Sequence, residues 1–150
     1  MTVEVQVSDA LDDSIYVPDT AHIERWALAA LKQQGADGQL SVRIVDGEEA
    51  RALNRQYRGK DMPTNVLSFP LEAPGFIEPR LLGDIVICAP VVAQEASGQG
   101  KQEQAHWAHM LIHGVLHLLG YDHDSDEEAK VMESAEVDIL SRLGFADPYQ

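Results

Sequence analysis

Residues 103–123 read EQAHWAHMLIHGVLHLLGYDH, and this stretch organises the rest of the chain. Apolar residues recur through it at helical spacing until Gly120, which predicts a helix over Glu103–Leu119 and a sharp stop after it. His113 and His117 lie four apart, so on that helix their side chains point the same way, one turn apart. His123 cannot continue the helix. Gly120 permits the positive φ that ends it, and Tyr121 and Asp122 give the chain room to fold His123 back toward the pair.

Three neutral imidazoles around one ion leave a fourth position open to water, the arrangement of a catalytic zinc site, whereas structural sites close with four protein ligands. Water bound there is acidified to a pKa of about 7 and the ion polarises a substrate oxygen, which is a hydrolase's equipment. Imidazoles also suit nickel, copper or iron, so the residues alone leave the metal open. The same spacing occurs in metzincin peptidases, which require a Glu directly after the first histidine as general base. Gly114 stands there instead, so peptide hydrolysis would need another base. Asp122 is placed either to orient a ligand imidazole through its other ring nitrogen or simply as part of a solvated acidic loop. His106 and His109 share the helical stripe of the ligand pair but lie further along it, a position for packing or for supporting the ligands.

Outward from this helix, "SDEE" at Ser125–Glu128 reads as a capping box, and Met132, Ala135, Ile139 and Leu143 then recur at helical spacing until Gly144. Before it, a short helix is expected from Pro90 to about Gln99. "NVLSF" and "DIVIC" read as strands, separated by the loop "PLEAPGFIEPRLLG" from Pro70 to Gly83. Further toward the N-terminus, Val3, Val5 and Val7 alternate as in a half-buried strand. Ile23, Trp26, Ala27, Ala30 and Leu31 mark a helix ending at Gly35. "LSVRIV" gives a second strand, and Ala50, Leu53 and Tyr57 a helix stopped near Gly59. The expectation is one α+β domain over residues 1–150, with a small mixed four-stranded sheet flanked by helices and the metal site at the end of the Glu103–Leu119 helix.

At 150 residues the chain can bury a core without disulfides or structural metals as staples. No apolar run of membrane-spanning length occurs, and the acidic, alternating start "MTVEVQVSDALDD" is not a signal peptide, so a cytoplasmic protein with no membrane partner is expected. The single cysteine, Cys88, lies in an apolar run and reads as a buried reduced thiol. The formal net charge of -14 argues against a protein that binds nucleic acid over its whole surface. Distribution softens that, because Arg43, Arg51, Arg55, Arg58 and Lys60 fall in one short segment and can form a local basic patch.

"HGVLHLLGYDH" (His113–His123), together with "YRGKDMPTNVLSFP" (Tyr57–Pro70) and "LGDIVIC" (Leu82–Cys88), closely resembles the YbeY family of bacterial endoribonucleases. The likeness runs from about Val3 to Asp147 and shows no departure within the three motifs. It implies a metal-dependent, single-strand-specific endoribonuclease acting in maturation of the 16S rRNA 3′ end and in ribosome quality control, with one zinc ion held by three histidines and water. Single-stranded RNA would be its substrate, and the small ribosomal subunit or assembly proteins its partners. By resemblance His113, His117 and His123 match the family's ligands and Arg58 its motif arginine. An arginine suits the reaction, since a negatively charged phosphorane needs a donor that spreads its charge. Lys60 is a candidate phosphate contact, and Ser68 or Thr64 candidates for the cleft wall, although both also fit strand and turn structure. Two other readings stand beside this one: a metal-dependent amide or peptide hydrolase, and a ribosome-assembly factor whose metal only fixes the His123 loop.

Overall fold

The alternation at the N-terminus produces β1 (Thr2–Val7), with Val3 and Val5 half-buried and Glu4 and Gln6 exposed. The fold is taken from a computed structural model that describes residues 1–71 and 80–150. β1 is an edge strand, parallel to β2 (Gln39–Val45), and the crossover between them is α1 (Thr20–Gln33). β2 is in turn parallel to β4 (Leu81–Cys88). Both central strands are rich in branched apolar residues, as strands covered on two faces must be. Leu40, Val42, Ile44, Ile85 and Ile87 are buried in the main core. β3 (Val66–Pro70) closes the other edge, antiparallel to β4, so the sheet order is β1-β2-β4-β3 and the sheet is mixed as expected.

The loop assigned to Pro70–Gly83 is shorter at both ends than its composition suggests. Pro70 ends β3, Leu81 to Gly83 belong to β4, and Pro70 pairs with Gly83. Gly83 looks like a turn residue but is a close-approach residue inside a strand. Its φ is +142°, and a Cβ there would collide with the Phe69 carbonyl oxygen and lie 2.9 Å from Leu118 Cδ2. The remainder of the expected loop, residues 72–79, lies outside the described residues.

On one face of the sheet α2 (Gly47–Arg58) covers a small cluster of Val45, Ala50, Leu67, Val86 and the buried free thiol of Cys88. Asp46 caps this helix by accepting from Glu49 N–H at 2.9 Å, and Gly59 ends it with φ +72°. α3 (Ala89–Gly98) follows β4 directly. The opposite face carries the main core, built on α4 (Glu103–Leu118) with α1 and α5 (Asp126–Arg142) packed against it. From His106 to Leu118 every residue of α4 is buried except the half-buried His113 and His117, so this is a central helix apolar on nearly all sides. The expected capping box starts α5: Ser125 Oγ accepts from Glu128 N–H at 3.1 Å and donates to Glu128 Oε1 at 3.1 Å.

Candidate metal centre and its cleft

The last two turns of α4 hold His113 and His117, and the chain then reverses. Gly120 adopts φ +99°, and Tyr121 N–H returns to the Leu116 carbonyl at 3.0 Å. The Tyr121 hydroxyl donates to Gln34 Oε1 at 2.6 Å, tying the turn to the end of α1. His123 is thereby carried back over the helix end. Its ring centre lies 5.6 Å from that of His113 and 5.1 Å from that of His117, and the latter two are 4.6 Å apart.

One ring nitrogen from each histidine falls within 4.8 Å of the others, a cluster that can hold a metal ion. His113 Nε2 and His117 Nε2 face each other at 3.1 Å. Zinc–imidazole bonds of about 2.0–2.1 Å set ligand nitrogens on one ion at about this separation, so the donor set fits a small divalent cation. Burial, followed by repulsion from His113 and His123, lowers the pKa of His117 from 6.5, which keeps the ring neutral and its lone pair available at pH 7.

The fourth residue at this centre is Glu136, which the sequence reading passed over in favour of its neighbour Ala135. Its carboxylate is fully buried. Oε2 accepts from His113 Nδ1 at 2.8 Å and from His109 Nε2 at 3.2 Å, while Oε1 accepts from the Tyr149 hydroxyl. Burial pushes this carboxyl up, but the hydrogen bonds from His109 and His113 more than offset it, and its pKa is lowered to about 2. A signal did exist, since Glu136 falls on the stripe defined by Met132 and Ile139, where a charged residue has no place unless it is partnered.

Asp122, for which the sequence left open both the orienting of an imidazole and a place in a solvated acidic loop, accepts the backbone N–H of His123 at 2.8 Å. It shapes the loop rather than a ring, because an aspartate adjacent to a turn reaches its neighbour's N–H more readily than an imidazole. His106 and His109 are buried and paired with carboxylates rather than joining the ligand cluster. His106 Nε2 sits 2.9 Å from Glu95 Oε1, which also accepts from Asn65, and His109 meets Glu136.

The three imidazoles open into a cleft of about 820 Å³ between the end of α4 and β3. Arg58, the last residue of α2, lines the same cleft, as do Tyr57, Thr64, Ser68 and Asp122. Ser68 is only partly free, since its hydroxyl donates to the Gly114 carbonyl at 3.2 Å. Lys60 is exposed on the turn after α2 and is not among the cleft-lining residues, so its contact with a substrate would be made beyond the rim. Within the basic segment Arg43 is engaged by Glu49 and Arg51 by Asp61, which leaves Arg55, Arg58 and Lys60 without ion pairs among the described residues.

A family model described as Endoribonuclease YbeY matches residues 9–144. The chain belongs to the YbeY endoribonuclease family. Endoribonuclease YbeY of Alteromonas mediterranea is 51% identical over 154 residues, covering 99% of this chain and 98% of the relative. The fold is similar to the solution structure of TM1509 from Thermotoga maritima, with a TM-score of 0.60, 24% identity and 99% of each chain covered. The three segments that carry the YbeY resemblance converge in space. Tyr57–Pro70 supplies the cleft wall, His113–His123 the imidazoles, and Leu82–Cys88 the strand on which α4 rests.

Gly114 follows His113 in this YbeY chain at the place where a metzincin peptidase carries its glutamate. A Cβ at 114 would lie 3.0 Å from Ile85 Cγ2 and 3.3 Å from both Ser68 Oγ and Val66 Cγ2. A side chain at position 114 would thus press on β3 and β4, where the contacts are already tight.

Proposed function

We propose that this protein is a zinc-dependent endoribonuclease that cuts single-stranded RNA at the 3′ end of 16S rRNA. The observation that carries the reading is Arg58 lining one cleft with the three clustered imidazoles of His113, His117 and His123. Three imidazole nitrogen donors suit zinc, which when bound supplies Lewis acidity to a phosphoryl oxygen and acidifies water. The guanidinium of Arg58 binds a nonbridging phosphate oxygen and offsets the charge that grows on it as the phosphodiester is attacked. Tyr57, adjacent in sequence and exposed in the cleft, has its ring edge-on to Phe69 at 5.0 Å and offers a stacking surface that only an unpaired base can use. Lys60 takes the phosphate backbone as the strand leaves the rim, and Ser68 and Thr64 shape the wall beside β3.

The net charge of -14 opposes tight binding of free RNA, which favours a substrate held on the small ribosomal subunit or by an assembly protein in the cytoplasm. No helix among the described residues is long and apolar enough to cross a membrane.

The test is cleavage of a single-stranded RNA spanning the 16S 3′ end by zinc-loaded wild type, with His117→Ala and Arg58→Ala purified identically. Cutting by wild type, with both variants folded and at least about 100-fold slower, supports the reading. Equal cutting by all three preparations overturns it and brings forward an assembly factor whose metal only fixes the His123 loop.

A further inference from the structure

Glu136 and Tyr149 come from outside the metal-binding motif, yet both end at it. The Glu136 carboxylate is fully buried and is held by three donors: His113 Nδ1, His109 Nε2 and the Tyr149 hydroxyl. A buried carboxylate that collects two imidazole nitrogens and a tyrosine hydroxyl is the acceptor for all three, so the proton on the 2.8 Å contact belongs to His113 Nδ1. The lone pair of His113 is therefore on Nε2, the nitrogen that faces His117 at 3.1 Å. Tyr149 reaches this carboxylate from the C-terminal segment with its ring about half exposed, and its backbone N–H is fixed by Asp147 Oδ1 at 2.8 Å.

We propose that Glu136 is a positioning residue for the metal centre, fixing the tautomer and ring orientation of His113, and that Tyr149 holds Glu136 in place, so that the C-terminal segment completes the site. The inference rests on the metal-binding reading above. A carboxylate that accepts from a ligand imidazole raises its basicity as well as aiming it, and loss of such a partner weakens metal binding. Glu136 touches neither substrate nor ion in this scheme. It acts through His113.

The experiment uses Zn²⁺ as probe. Zinc affinity of the full chain is measured by competition with a chromogenic chelator for wild type, Glu136→Gln and Tyr149→Phe. Folding of each is checked by circular dichroism, and the ring tautomer of His113 is read in metal-free protein by long-range proton–nitrogen NMR. The expected result is an Nδ1–H tautomer in wild type, a loss of affinity of about 10–100-fold in Glu136→Gln, and a smaller loss in Tyr149→Phe. Wild type that binds no zinc overturns the metal reading and this inference with it. Zinc binding by wild type with affinities in both variants unchanged within about twofold overturns the inference alone. If Glu136→Gln does not fold, the tautomer in wild type and the affinity of Tyr149→Phe decide. An Nε2–H ring or an unchanged affinity overturns it.

Discussion

His113 Nε2 and His117 Nε2 face each other at 3.1 Å across the mouth of the cleft, close enough to share one ion. Zinc at about 100 times its dissociation constant should therefore stabilise the fold by roughly 2.7 kcal/mol, and a chelator should remove the gain. Thermal unfolding with and without zinc measures it, and His117→Ala should show no shift. Affinity should fall as pH drops from 7.5 to 5.5, because protonated imidazoles cannot ligate. Affinity unchanged over that range would argue against an all-histidine site.

Gly114→Ala should destabilise the protein by about 1–3 kcal/mol, since α4 cannot back away from β4 without opening the main core. The new methyl lies 3.0 Å from Ile85 Cγ2, a packed side chain in the centre of the sheet. Urea unfolding of metal-free protein separates this from any effect on ligation.

His106 gives the metal-free protein a pH dependence of defined sign. Burial, only partly offset by the hydrogen bond to Glu95, lowers its pKa from 6.5. The unfolded chain thus takes up the proton first as pH falls, so the stabilisation present above 6.5 is lost as pH drops through the depressed value. His106→Gln should flatten the decline in unfolding free energy between pH 7 and 5. His117 titrates in the same sense, so the slope should shrink rather than vanish. An unchanged slope would mean that His106 is not buried in its neutral form.

Ser125→Ala should cost about 1 kcal/mol by deleting the N-cap of α5, two residues after His123. Ser125→Gly should cost only a few tenths, and comparing the two by urea unfolding checks that the cap, rather than side-chain packing, is responsible.

The features legible along the chain were those set by local geometry. The four-residue spacing of His113 and His117, the positive φ of Gly120, the Ser125–Glu128 box and the stop at Gly59 depend on neighbours within one turn, and each appears where its residues lie. Spacing alone misread Gly83, because a glycine that admits a close neighbour and a glycine that turns the chain look alike until the neighbour is known.

The sequence by itself thus determined the elements, the imidazole cluster and, through three motifs, the family. Only the tertiary structure decided what stands around the imidazoles. Arg58, at the end of α2, shares the cleft with residues of β3, the edge strand beside α4, and glycine suits position 114 because that helix rests closely on Ile85 and Val66. Glu136 meets His113 across 23 residues of chain because α5 packs its stripe on α4, which brings a buried charge beside donors that neutralise its cost. Periodicity reports which face of a helix is covered, whereas the partner on that face is chosen by packing between elements distant in sequence.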